Sequence, residues 1–239
     1  MADDADETDG TDDTDETDET GGAAPGSGGG PGWNGGAGGM DEKNTNAGGA
    51  VMRNMVLDFL DVSGGKGAPD WQLMGHGFTS LNETSGAQTE QRAYISDASP
   101  SNIVRGYETE FPFATDLMTK QPVIDFLYGV GRNHRRGADA ETGYVRVEAF
   151  ADTGVKGVYP ARRFLAACEV ADITGEGAQH MEISGSLKPV GDFAPGAFDM
   201  EAREFAEGEA GADGAVTVTV RGKALRLRDG LWPEKAAGA

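Results

Sequence analysis

The chain has 239 residues, 38% of them hydrophobic, with 40 Asp and Glu against 20 Lys and Arg and a formal net charge of -20. That balance excludes a basic nucleic-acid footprint. A single cysteine, Cys168, excludes an intramolecular disulfide and a cysteine-based zinc site.

The charge is unevenly placed. Asp3 to Glu19 supply eleven carboxylates, no base precedes Lys43, and beyond residue 40 the balance is 29 acids against 20 bases, or -9. Residues 21–50 then carry 13 glycines. Like-charge repulsion in the first stretch and glycine backbone entropy in the second predict a disordered arm over residues 1–49. This acidic start has no apolar segment of signal-peptide type. The longest apolar run, Phe164 to Cys168, is too short to span a bilayer, so membrane insertion is not expected.

A folded domain is expected over residues 50–204, with a C-terminal extension over 205–239. Met55 to Leu60 alternate as a first strand. The Gly/Pro/Asp stretch Gly64–Asp70 turns the chain into a second, Trp71 to Phe78. Thr79 to Gln88 is polar and turn-rich. Strands follow at Thr89–Ser96 and Ile103–Phe113, the latter with Tyr107, Thr109, Phe111 and Phe113 on one face and Glu108 and Glu110 on the other.

One helix stands out. Thr115 or Thr119 offers a cap, Pro122 suits the first turn, Val123, Ile124, Phe126, Leu127 and Val130 share a face, and Gly129 or Gly131 ends it. Strands resume at Tyr144–Phe150, Tyr159–Ala171 and Met181–Val190. A last pair, Val216–Arg221 and Ala224–Arg228, is joined at Gly222-Lys223, after the spacer Gly208–Gly214. Many short strands and a single helix predict a mainly β sandwich or barrel with one flanking α-helix.

Motifs for catalysis are missing. Gly129-Val130-Gly131 and Gly175-Glu176-Gly177 carry His134 and His180 where a phosphate loop needs its third glycine. No G-x-S-x-G elbow occurs. His76, His134 and His180 are widely spaced, and Cys168 sits in an apolar strand pattern that predicts a buried, inert thiol. No cofactor or metal is expected. The densest basic cluster is Arg132, His134, Arg135 and Arg136. Arg132 suits the negative end of the helix dipole, while the cluster as a whole suits a charged contact with another copy.

A series of short segments in order carries a resemblance: Gly77-Phe78-Thr79-Ser80-Leu81-Asn82-Glu83, Tyr94-Ile95-Ser96-Asp97, Gly106-Tyr107-Glu108, Phe111-Pro112-Phe113, Asp125-Phe126-Leu127-Tyr128, Gly137-Ala138-Asp139-Ala140-Glu141-Thr142, Ile183-Ser184-Gly185 and Gly196-Ala197-Phe198-Asp199. Over roughly residues 55–200 the chain resembles the major tail tube protein of long-tailed phages and prophages of Gram-positive bacteria. The resemblance implies a tail-tube-type β-sandwich, homohexameric rings stacked into a conduit for genomic DNA, and no catalytic residues. It implies a place in the virion tail, synthesis in the host cytoplasm, and a tape measure protein and other tail proteins as partners. By the same resemblance Thr79–Ala93 is a stacking loop, with Thr79, Ser80, Leu81, Asn82, Glu83 and Gln88 as contact residues beside Arg132, Arg135 and Arg136. A conduit must not grip a polyanion, which suggests that Glu108 and Glu110 face the lumen. Rival readings are another tail component (a tail terminator or a secretion-system-like tube), an acidic DNA mimic, and a hydrolase with an unrecognised site.

Overall fold

A computed structural model describes residues 49–96 and 98–233. The expected arm lies outside these apart from Gly49. The chain enters through a 3-10 turn into β1 (Val56–Asp61), followed by β2 (Trp71–Leu73), β3 (Phe78–Leu81), β4 (Ala87–Arg92), β5 (Ser101–Tyr107) and β6 (Phe111–Asp116). Helix α1 (Pro122–Arg132) precedes β7 (Glu141–Glu148), β8 (Val158–Thr174), β9 (Glu182–Pro189), β10 (Ala194–Asp199) and β11 (Glu204–Glu207). Four strands close the described chain: β12 (Glu209–Ala210), β13 (Ala215–Val220), β14 (Lys223–Arg228) and β15 (Trp232–Pro233). The fold is mainly β with one α-helix among the described residues, as its strand-rich pattern predicts.

The principal sheet has the order β2-β1-β7-β8-β9-β6-β3, with β10 also on β8 and β11 outside it. Its organiser is β8, which is 17 residues long. Ala161–Ala167 pair with β7, Val158–Arg163 with β10, and Ala166–Thr174 with β9. One long strand therefore serves two neighbours in succession along the same edge. The register shift between Val170 and Asp172 falls in the half that pairs with β9, where a bulge bends a strand.

Period-two alternation sorts the side chains onto two faces. On one face Val123, Ile124, Leu127 and Val130 of α1 pack with Leu60, Phe111, Tyr144, Phe164, Ile183 and Leu187. Phe111 lies 4.6 Å from Tyr144 and 5.0 Å from Phe164, centroid to centroid. Each large side chain buried here contributes roughly 1.5–3 kcal/mol. On the other face Phe59 stacks on Phe198 at 4.5 Å, flanked by Trp71, Val145, Val147 and Ala161. A four-stranded sheet, β12-β13-β14-β15, packs Val216, Val218 and Leu227 against Val158 and Ala197. Arg221 fastens it, donating two 2.5 Å bonds to Asp199 on β10.

Several sequence expectations need correction, among them that Gly129 or Gly131 ends α1, which runs through both glycines to Arg132 and is capped by Asn133. Trp71–Phe78 is not one strand, because the chain turns at Gly75, where Phe78 N–H donates to its carbonyl, and Gly77 adopts φ +92°. Thr79–Gln88 is not simply a loop, since Thr79, Ser80 and Leu81 continue β3, whose polar outer positions hide it. Neither threonine caps α1: the N-cap is Gln121 with no side-chain bond, and Thr115 is buried in β6. The last hairpin turns at Arg221-Gly222, one residue earlier than expected, with φ +50° and +73°, as a two-residue type I′ turn requires.

Candidate assembly surface

Ile103–Phe113 is also two strands, and the break between them builds the most exposed feature of the described chain. Beyond β3 and β6 the two chain segments keep pairing. Asn82 N–H donates to Pro112 O, Thr84 and Glu110 exchange both bonds at 2.9 Å, and Glu108 N–H donates to Gly86 O at 3.0 Å. β4 and β5 then continue as a two-stranded sheet of their own, Ala87 opposite Tyr107 and Arg92 opposite Ser101. The result is a long ribbon rooted in the principal sheet. Gly86 marks the joint: at φ +57° its added Cβ would meet the Glu108 carbonyl oxygen at 2.3 Å, so only glycine fits.

The ribbon lacks a core of its own. None of its described residues from 87 to 107 belongs to a buried apolar cluster. Ile95 is fully exposed, and Ile103, Val104 and Tyr107 are exposed by 43%, 53% and 66%. Glu90 accepts bonds from Arg92, at 2.6 Å, and from Arg105, pairs of small individual worth at a surface. A two-stranded ribbon is marginal in water by itself. Its open edges and apolar side chains are a surface for pairing with another chain.

At the root lies a buried charge network, which the sequence reading missed. Asp58, 1% exposed, accepts from Tyr144 Oη at 2.5 Å and from Arg53 Nη2 at 2.6 Å, with Arg146 Nη1 at 3.6 Å. Glu83, on the ribbon side, receives Arg162 Nη1 and Nη2 at 2.8 and 2.9 Å, with Arg146 Nε at 3.3 Å. Arg162 Nε donates to Glu148 at 3.1 Å. The guanidinium of Arg146 lies over Phe111, and that of Arg162 over Phe164 and Phe193. Bidentate pairing of this kind adds direction as well as strength, so Glu83 ties the ribbon's root to β8.

The two acids titrate differently. Burial works to raise Glu83, but the Arg162 bonds and both guanidinium charges outweigh it and hold the carboxyl below its ordinary range. Burial pushes Glu148 up to about 7 against the pull of Arg162 and Arg146. Folded Glu148 thus keeps its proton to about pH 7, whereas the unfolded chain releases it near 4.5. Its contribution to stability is full below that lower value and is lost as pH rises through the upper one, by about 3 kcal/mol in all. Urea midpoints should fall between pH 5 and pH 8, and Glu148→Gln should flatten that slope; equal slopes in both proteins would refute the assignment.

The remaining expected site residues are scattered. Thr79, Ser80 and Asn82 are exposed along the ribbon's root, Leu81 is buried in the core, and Gln88 Nε2 donates to Glu108 at 3.1 Å. Glu108 is exposed and Glu110 half-buried, and both lie in the joint between β5 and β6 rather than on a continuous strand. Arg132, Arg135 and Arg136 sit elsewhere, at the C-terminal end of α1. Cys168 is buried, and its thiol is pushed up to about 12 by burial. Asp116, His180 and Glu182 bring three donor atoms within 4.8 Å of one another at an exposed sheet end. His180 Nε2 lies 3.2 Å from Asp116 there. No helix among the described residues is long and apolar enough to cross a membrane.

No protein-family model matches the sequence, and no curated protein does. Among solved structures, the chain is similar to the SPP1 tail tube, at 13% identity and a TM-score of 0.47 over 61% of this chain and 78% of that one. It is similar to a chain of the six-fold symmetrised baseplate of the anti-feeding prophage, at 12% identity and 0.39 over 63% and 97%. It is also similar to a chain in the C6-symmetric tail of an empty GTA particle, at 10% identity and 0.44 over 61% and 98%.

Proposed function

We propose that this protein is the structural subunit of a phage tail tube, six copies closing a ring and rings stacking into a conduit through which DNA passes without being held. The observation that supports this best is the β4–β5 ribbon, an exposed two-stranded sheet with open edges and uncovered Ile95, Ile103, Val104 and Tyr107. Such a surface is satisfied by other copies, and repeated heterologous pairing generates closed rings or open stacks. The residue series in the sequence points the same way. The subunit belongs in the virion tail after synthesis in the host cytoplasm, with a tape measure protein and other tail proteins as neighbours. Electron micrographs of the purified chain test the reading, since it requires rings or hollow tubes.

Glu108 and Glu110 are assigned to the wall of the conduit. Carboxylates repel DNA phosphates within a Debye length of about 8 Å at physiological salt, whereas a basic wall would bind them. Particles carrying Glu108→Lys and Glu110→Lys should release DNA more slowly; unchanged release kinetics would remove both residues from the lumen. Rings that never stack would favour a tail terminator instead.

A further inference from the structure

A cationic hollow lies between the end of α1 and β8, with a volume of about 340 Å³. Its rim includes His134, Arg135, Arg136 and Lys188, and Cys168 lines it. Arg132 is exposed on the last turn of the helix beside it. In a chain with twice as many acids as bases, most described arginines have found a carboxylate, among them Arg53 before β1 and Arg146, Arg162 and Arg163 on the principal sheet. This cluster has not. Arg132, His134 and Arg136 have no ion pair or hydrogen-bonded side chain among the described residues, and the Arg135 side chain has only the Phe126 ring, at 5.8 Å. Lys188 alone is paired, with Glu169 at 2.5 Å. Three arginines within five residues repel one another, so the cluster is a surface awaiting anionic charge rather than a balanced one.

We infer that this hollow takes the acidic stretch Asp3–Glu19 of a second copy of the chain, an inference that rests on the self-assembly proposed above. The complementarity is direct. The stretch holds eleven carboxylates and no base, and guanidinium forks match carboxylates two bonds at a time. No other segment of the sequence is as acidic. Reach permits it: residues 20–48 can span at most ~100 Å at ~3.5 Å per residue, against a diameter of roughly 40 Å for a domain of this size. Docking neutralises two like-charged clusters that each oppose assembly when left alone, and each subunit offers one donor and one acceptor, as a ring or stack requires.

Zero-length carbodiimide cross-linking of the full chain, mixed from isotopically light and heavy copies, tests this. Lys188 supplies the amine at the rim. The expected result is mixed-isotope cross-links between Lys188 and the Asp3–Glu19 stretch, lost at 0.5 M salt. They should also be lost in the full-length variant Arg132→Ser/Arg135→Ser/Arg136→Ser, whose substituted side chains are exposed and whose near-ultraviolet spectrum should be unchanged. Neutralising the eleven carboxylates to Asn and Gln should have the same effect. Cross-links confined to one isotope, or links that survive the triple substitution, would overturn the inference. So would preferential binding of duplex DNA by the same arginines. Sedimentation of the same samples separates the two failures: assembled protein without mixed links sinks this docking alone, whereas protein that never assembles sinks the tube reading with it.

Discussion

Removing Ala87–Tyr107 and joining Gly86 to Glu108 through two glycines should leave a folded protein that no longer polymerises at all. The ends already meet, since Glu108 N–H donates to Gly86 O at 3.0 Å, so a short turn closes them without strain. No described residue of the deleted segment lies in the three apolar clusters. The packing of α1 on the sheet, the Phe59–Phe198 stack and the C-terminal four-stranded sheet are therefore untouched. What disappears is the open-edged ribbon with Ile95, Ile103, Val104 and Tyr107. Far-ultraviolet dichroism and a cooperative urea transition would report the intact body, and sedimentation would report the loss of assembly. Normal assembly by the shortened chain would show that the ribbon is not the pairing surface.

Asp58→Ala should cost about 3–5 kcal/mol, the range for breaking a buried ion pair from one side. The carboxylate is 1% exposed and takes bonds from Tyr144 and Arg53. Without it the Tyr144 hydroxyl loses its carboxylate acceptor, and the one salt bridge left to Arg146, itself 9% exposed, among the described residues is Glu83 at 3.3 Å. The Arg146 Nη1 atom is buried without a hydrogen-bond partner even with Asp58 in place, so the site has no slack with which to absorb the loss. Against a total stability of about 5–15 kcal/mol for a domain, this change alone brings the protein close to unfolding. Urea denaturation at fixed pH measures it. A loss under about 1 kcal/mol would mean that water reaches Arg146 and solvates it.

Much of this architecture is legible in the sequence where burial is one-sided. Helix α1 is visible because Val123, Ile124, Leu127 and Val130 fall on one face behind Pro122. β13 and β14 are visible because Val216, Val218 and Val220 alternate with threonines and arginine, and Leu225 and Leu227 do likewise. The ribbon is only partly legible. Strands are expected at Thr89–Ser96 and Ile103–Phe113, which overlap β4 and β5, but Ala87–Arg92 is exposed or half-exposed throughout, so burial does not fix its bounds, and β5 runs into β6 without a break in composition. The charge network is hidden for another reason. Glu83 and Arg162 are 79 residues apart, and Asp58 and Tyr144 are 86 apart. Each charged member looks like the solvent side of a half-buried strand. Only the pairing of β1, β7 and β8 puts Asp58 opposite Arg146 and Arg146 opposite Arg162. The signal available beforehand was weak: charged residues at alternate positions in three strands that share apolar neighbours.

Direct imaging decides the main question. Negative-stain micrographs of the purified full-length chain, taken over a rising concentration series, should show annular particles with six-fold class averages and, at the upper end, hollow rods with a regular axial repeat. A chain that remains a compact monomer across the whole series would contradict the account at its root.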